Sequence, residues 1–383
     1  MEISWTKEQL DYKAQVIKFA EENLNNSIVE RDKDCVFSRE DWEKCAEFGI
    51  QGLASPIKYG GQNDEVDILG TILAMEGLGY GCRDNGLPFG LNAQMWTVQF
   101  PILKFGTELQ KEKYLKPLAS GKMMGCHGLT EPNAGSDVFN METFAEKVEG
   151  GYVLNGSKRL ITFGPIADIV LVFAKTNVKL GKWGYSVFIV EKGTKGYTAG
   201  KNEPKMGMRT VPFGDLTFED CFIPEENLLG KEGAGWSIAI SSLEYDRFTI
   251  FASQLGAMEY QLDSTIKFVK ERKQFGKPIS EFQSVSNRIA DMKLRLETSR
   301  LLLYRVASLK TQGKSVLMEA AMLKLYLSES FVESSMDAIR CHGGNGYLTE
   351  HQIERNLRDA VGGVIYAGTS DIQRNIISKS LGL

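Results

Sequence analysis

Apolar residues along this chain change period twice. From Glu8 to about Lys122 they recur at helical spacing: Ile17, Ala20 and Leu24 share one face, and a second run extends from Ile68 to Leu78. Ser38, with Asp41 three residues on, reads as a loose capping box ahead of Trp42, Ala46 and Phe48. Gly49, Gly52, Pro56 and the Gly60-Gly61 pair break the chain before the second run, and a third run ends in KFGTELQKEKYLKPLASGK. From Met123 to about Leu229, β-favouring runs take over (YVLNG, ADIVLVFA, YSVFIVE, FGDLTFEDCFI), separated by turn residues such as Gly150-Gly151 and EKGTKG. Leu216, Phe218 and then Phe222 are expected on one buried strand face.

After LLGKEGAGW the period returns to 3.6. Phe248, Phe251, Leu255, Met258 and Leu262 stripe a long helix running to about Arg272. Another is expected to start near Ser280, with Gln283 completing a second capping box, and to bury Ile289, Met292 and Leu296. A third spans roughly residues 315–339, and a short one begins at Ser370. The expectation is an α+β chain: a helical domain over 1–122, a β-barrel or sandwich domain over 123–230, and a four-helix bundle over 231–383.

Composition narrows the function more than the fold. The 383 residues suffice for two or three cores, and 43% hydrophobic with 25% charged residues is the balance of a soluble globular protein. A net charge of −4 gives no basic footprint for nucleic acid. The longest apolar run, around Ile169 to Ala174, is a buried strand and far too short for a membrane span. The start, MEISWTKEQLD, lacks the basic and apolar regions of a leader. Six scattered cysteines without a Cys-x-x-Cys pair read as reduced thiols of a cytoplasmic protein. Three histidines without ligand-type neighbours indicate no metal site. No Gly-x-Gly-x-x-Gly follows a strand, which argues against a Rossmann dinucleotide site.

The stretch richest in chemistry is CHGLTEPNAGSD, Cys126 to Asp137. Pro132 presets a turn, Gly135 lets the backbone approach a ligand, and Thr130 and Ser136 add hydroxyls. Such a loop suits the polar edge of a planar ring or a phosphate oxygen, though the spacing alone equally describes an ordinary turn.

That stretch resembles the flavin-binding signature of the acyl-CoA dehydrogenase family. NGSKRLITFG, KMGMRT, FEDCFIP, ERKQFGKPISEFQ, CHGGNGYLTEHQIERNLRDA and IYAGTSDIQR then follow in the family's order, over nearly the whole chain. The resemblance implies the acyl-CoA dehydrogenase fold and noncovalent FAD. It implies that His127 to Ser136 line the isoalloxazine, Leu129 and Gly135 among them, with Thr130 on the ring's N1–O2 edge and Ser136 near phosphates or substrate. Thr162 would lie near flavin N5, and Leu160 takes the place where many members stack a tryptophan. Arg272, Phe275 and Gln283 match contacts to a neighbouring subunit's FAD, and the segments Arg340 to Gly344, with Gly343, and Gly368 to Asp371, with Thr369, match further FAD contacts. A cofactor site shared between subunits implies a homotetramer.

The family's reaction removes two hydrogens across the Cα–Cβ bond beside a thioester: a carboxylate takes the α proton while the β hydride passes to the flavin. The commonest base position, just before Gly-Thr in the last motif, is here Ala367, which cannot accept a proton. A minority resembling isovaleryl-CoA dehydrogenase carries the base on the first long C-terminal helix, where this chain reads LEYDR, with Arg247 the shared arginine. Register favours Asp246. Helix phase slightly favours Glu244, which shares a face with Arg247, Phe248 and Phe251.

Three functions remain open on this reading. One is oxidation of a small acyl-CoA; Met95, Trp96 and Phe100 suggest a short pocket, unless they are plain core. A second is oxidation of an acyl or aminoacyl group, such as proline, on an acyl carrier protein. The third is a catalytically dead flavoprotein. The electron acceptor is either an electron-transfer flavoprotein or O2. An imidazolium at His127 would favour oxygen by stabilising negative charge, whereas a neutral packing residue would not.

Overall fold

The computed structural model describes residues 5–383; the first four residues of the stretch read for a leader lie outside it. The helical first third comprises α1 (Lys7–Asn23), α2 (Ile28–Asp34), α3 (Arg39–Phe48), α4 (Ile68–Gly81), α5 (Gly86–Gln94), α6 (Phe100–Phe105) and α7 (Glu108–Ala119). Ser38 does cap α3, its side chain accepting from Asp41 N at 3.1 Å. Between α5 and α6 a π-helical turn spans Met95–Gln99. Pro101 has no N–H to offer Thr97, and the wider turn relieves the clash a proline ring makes in an α-helix.

The middle third is a mixed sheet of β1 (Gly125–Gly128), β2 (Phe144–Val148), β3 (Gly151–Thr162), β4 (Ile169–Lys175), β5 (Tyr185–Glu191), β6 (Tyr197–Ala199), β7 (Phe213–Pro224) and β8 (Leu228–Leu229). The order is β6-β7-β3-β2-β4-β5-β8, with β1 pairing β4 in parallel. Ile169 to Ala174 are buried on both faces of β4, as a continuous apolar run requires. The alternation expected through Phe222 fails. The β3–β7 register shifts between Leu154↔Cys221 and Gly156↔Phe218, and Asp220 takes φ +47°. This irregularity flips the strand's phase, so Cys221 and Ile223 are buried and Phe222 is exposed.

The last third comprises α8 (Gly235–Glu271), a hairpin of β9 (Lys273–Gln274) and β10 (Lys277–Pro278), α9 (Gln283–Thr311), α10 (Leu317–His342), α11 (Gly344–Tyr347), α12 (Ile353–Gly363) and α13 (Ser370–Ser380). The capping box expected at Ser280 and Gln283 is absent: a 3-10 turn covers Ile279–Glu281, Phe282 is the N-cap, and no side chain caps the helix. α12 was not anticipated.

Two close approaches set how α8 sits. A Cβ on Gly79 would lie 1.8 Å from Ser253 O, and one on Gly256 would lie 2.0 Å from Glu76 O, so α4 and α8 touch backbone to backbone. Glu76, fully buried, pairs with Lys13 at 3.0 Å and Arg300 at 3.1 Å, tying α1 and α9 to the same contact. The axial position and rotation of α8 follow from this packing.

Candidate active site

The site begins with the loop after β1. Ala134 N donates to Glu131 O at 3.2 Å, closing the turn that Pro132 presets. Lys158, reaching from β3 and fully buried, places Nζ 2.7 Å from Glu131 Oε1 and donates to Leu129 O at 3.3 Å. Glu131 also accepts from Thr143 N at 3.0 Å and from Glu142 N. One buried carboxylate therefore fastens the loop's far end to β3. Burial lowers Lys158 to about 8, with Glu131 pulling it back upward.

The loop forms one wall of a cavity of about 630 Å³. A Cβ on Gly135 would meet nothing within 4 Å, so the backbone there faces open space. The hydroxyls of Thr130, Ser136 and, on β3, Thr162 line the cavity and have no hydrogen-bond partner among the described residues. Leu129 and Leu160 add apolar surface; Leu160 is 49% exposed with φ +61°. Gly368 (φ +88°) and Thr369, which caps α13 by accepting from Ile372 N at 3.3 Å, also line it. Unpaired hydroxyls between apolar walls fit a flat heteroaromatic ring with a polar edge.

The remaining residues expected to touch the cofactor lie elsewhere. Arg272, Gln283, Arg340, Gly343 and Gly344 are exposed, where the ends of α8 and α10 meet and Phe268 stacks on His342 at 4.2 Å. Phe275, at the tip of the β9–β10 hairpin, is 93% exposed with φ +52°. Asp371 is exposed and pairs with Arg374 at 3.2 Å.

The two carboxylates of LEYDR separate cleanly. Glu244 faces away from the cavity: Oε1 accepts from Val316 N at 3.0 Å and Oε2 pairs with Lys310 at 3.0 Å. The lean toward Glu244 from helix phase therefore fails, because α9 and α10 claim that side chain. Asp246 lies on the cavity wall in the stripe Leu243, Asp246, Arg247, Ile250, the i, i+3, i+4, i+7 face of α8. It is 7% exposed, and no described side chain or backbone group donates to it. Burial pushes its carboxyl up to about 7, while the Arg247 guanidinium beside it pulls the other way. Arg247 is itself buried, with Nε unpartnered.

His127 also lines the cavity, packed edge-on against Phe173 at 4.9 Å, with Nε2 buried and unpartnered. Burial, and then the charge of Lys158, lowers it to about 4. The imidazole is then neutral at neutral pH, which favours the packing-residue alternative over the imidazolium one. Met95, Trp96 and Phe100 are likewise not the pocket: Trp96 stacks on Tyr245 at 5.3 Å, and Phe100 packs on the same ring at 4.2 Å. The wall from that segment is Phe89, Ala93 and Thr97, one helical face earlier.

Sequence reasoning missed several groups. Glu131 sat inside a quoted motif without a role. Asp359, from the LRDA string, accepts from Met208 N of KMGMRT and from Asn85 Nδ2 at 2.9 Å, joining three segments of the chain. Tyr366, half-buried, is hydrogen-bonded to Gln254, and its hydroxyl is pushed far above its ordinary value by desolvation and then by Asp246. The motif strings were the available signal for all three.

Three family descriptions match in succession: acyl-CoA dehydrogenase N-terminal domain over residues 6–122, middle domain over 126–221 and C-terminal domain over 233–382. The chain is 40% identical over 383 residues to the L-prolyl-(peptidyl-carrier protein) dehydrogenase of Serratia sp. (strain ATCC 39006), covering 100% of this chain and 99% of that protein. The crystal structure of the prolyl acyl carrier protein oxidase AnaB matches with a TM-score of 0.97 at 45% identity, covering 99% of this chain and 100% of that one. A structure described as PigA with FAD and proline matches at 0.97 and 40% identity, covering 100% of both chains.

Proposed function

The chain belongs to the acyl-CoA dehydrogenase family, and from that premise we propose that it oxidises a small aminoacyl or acyl thioester, of the size of a prolyl group, carried on a protein-bound pantetheine arm. Its cofactor is FAD, as the family's structures carry. Thr130, Ser136 and Thr162 would hold the ring's polar edge, and Leu129, Leu160 and Gly368 would flank it. Bound FAD supplies a two-electron acceptor.

The observation that carries the reading is Asp246: a buried, unpaired carboxylate on the cavity wall, titrating near neutrality. Asp246 takes the α proton. A base whose pKa lies near the working pH is ionised often enough and still binds the proton well. Arg247 holds the carboxylate's pKa below the value burial alone would impose. Arg247 also lines the cavity, where its positive charge would stabilise an enolate oxygen. Ala367, in the position of the family's commoner base, leaves room instead of a second carboxylate.

The exposed set of Arg272, Phe275, Gln283 and Arg340 is read as the surface that completes a neighbouring copy's cofactor site in a homotetramer. A cytoplasmic location and an acceptor that is either an electron-transfer flavoprotein or oxygen belong to the same reading. Anaerobic mixing with L-prolyl, butyryl and isovaleryl thioesters, each on carrier protein and on CoA, tests it. Rapid bleaching of the flavin by the carrier-bound prolyl thioester is expected. Bleaching by the CoA thioesters alone would transfer the assignment to free acyl-CoA, and none at all would leave a flavoprotein without this chemistry.

A further inference from the structure

Resting on the reading of a thioester delivered on a protein-bound arm, we propose that the loop Val178–Gly184 and the first turns of α8 form the docking surface for an acidic carrier protein. This loop joins β4 to β5 and exposes three large apolar side chains, Val178 at 74%, Leu180 at 55% and Trp183 at 51%. Between them stand Lys179 and Lys182, both exposed, and neither has a carboxylate partner among the described residues. The whole segment Lys175–Gly184 contains no acid. Exposed apolar groups ringed by unpaired cations mark a surface that gains by being covered with an apolar, acidic partner.

The patch opens onto the site. Lys182 Nζ lies 5.2 Å from the Trp183 ring and 5.5 Å from that of Trp236, in the first turn of α8. Trp236 packs on Phe139 at 4.1 Å, and the neighbouring Val138 lines the cavity. Gly233 N donates to Ser186 Oγ at 3.0 Å, and a Cβ on Gly233 would lie 2.6 Å from Trp183 O, so the loop is seated against the entry to α8. From Trp236 the same face of the helix continues through Ile240, exposed, to Leu243 in the cavity, with Asp246 on the cavity wall three residues further on. Ten residues of helix span about 15 Å, a length that an extended phosphopantetheine arm bridges. The nucleotide end of free CoA would engage the lysines but would not cover Val178, Leu180 and Trp183. A protein surface does both.

The test uses the full-length holoenzyme with two probes: L-prolyl thioester on an acidic holo-carrier protein, and the same group on free pantetheine. In the double variant Lys179→Glu/Lys182→Glu, and separately in Trp183→Ser, kcat/KM for the carrier-bound substrate should fall at least about tenfold, while that for the pantetheine thioester holds. Fluorescence anisotropy of labelled holo-carrier should show weaker binding with a shallower salt dependence. Unchanged carrier kinetics, or equal losses on both probes, would overturn the docking surface while leaving the substrate reading intact. So would a change in sedimentation, which would give the face to a second copy. A wild-type enzyme inactive on both probes would sink the substrate reading and this surface with it.

Discussion

Lys158 on β3 places its ammonium 2.7 Å from the Glu131 carboxylate of the site loop, with both side chains essentially closed to solvent. Two ions in such a place are tolerable only together, since each is the other's main compensation for lost hydration. Glu131 spends its remaining acceptor capacity on Thr143 N and Glu142 N, so the pair fixes where Thr130, Gly135 and Ser136 stand. Lys158→Met should therefore cost roughly 3–5 kcal/mol of stability and weaken FAD retention. Glu131→Gln, which keeps a neutral acceptor, should cost less. Urea unfolding and flavin release, arranged as a double-mutant cycle, read the coupling.

The two acids of LEYDR should behave oppositely. Asp246→Asn is expected to slow flavin reduction by about 10²–10⁴-fold without loss of FAD. Glu244→Gln should leave that step near wild type and lower stability instead, because Lys310 loses its counter-ion while the amide oxygen still accepts from Val316 N. Stopped-flow reduction together with thermal melts separates the cases. Slow reduction in Glu244→Gln alone would return the base to that residue.

The pH dependence follows from the raised Asp246 pKa. As the base it must be ionised, so kcat/KM should rise with pH through about 7 and level off above. For stability the sign is reversed. In the unfolded chain the carboxyl ionises near 3.9, so between about 4 and 7 the native state holds the extra proton, and stability falls as pH rises. Asp246→Asn should thus stabilise the apo-protein at pH 8 by an amount on the order of a few kcal/mol, with the difference shrinking toward pH 4. Melts across that range check it.

Leu160 leaves an apolar edge of the cavity half-open, and neutral His127 supplies no charge to favour oxygen. Leu160→Trp should cover that edge and slow reoxidation of the reduced enzyme in aerated buffer several-fold, at little cost to reduction by substrate. The φ of +61° is already adopted by a non-glycine residue, so the substitution adds no new backbone demand. Faster reoxidation in the variant would refute the covering role.

The sequence alone determined the order of helical, β and helical regions, because period is a local property written in neighbouring residues. It also determined the cavity group from His127 to Ser136 with Leu160 and Thr162, because these lie within contiguous motif strings. It could not decide between Glu244 and Asp246. Spacing on a helix fixes how two side chains point relative to each other, not which of them faces a given wall. That absolute rotation came from Gly79 and Gly256 bringing α4 and α8 into backbone contact, and from Lys310 capturing Glu244. Phe222 was misread for a related reason: the irregularity at Asp220 is a pairing defect between two strands, and it reverses a phase that either strand's own alternation would have kept. The unpaired, half-neutral state of Asp246 was equally invisible, since a pKa near 7 is set by the low-dielectric walls that tertiary packing assembles around it.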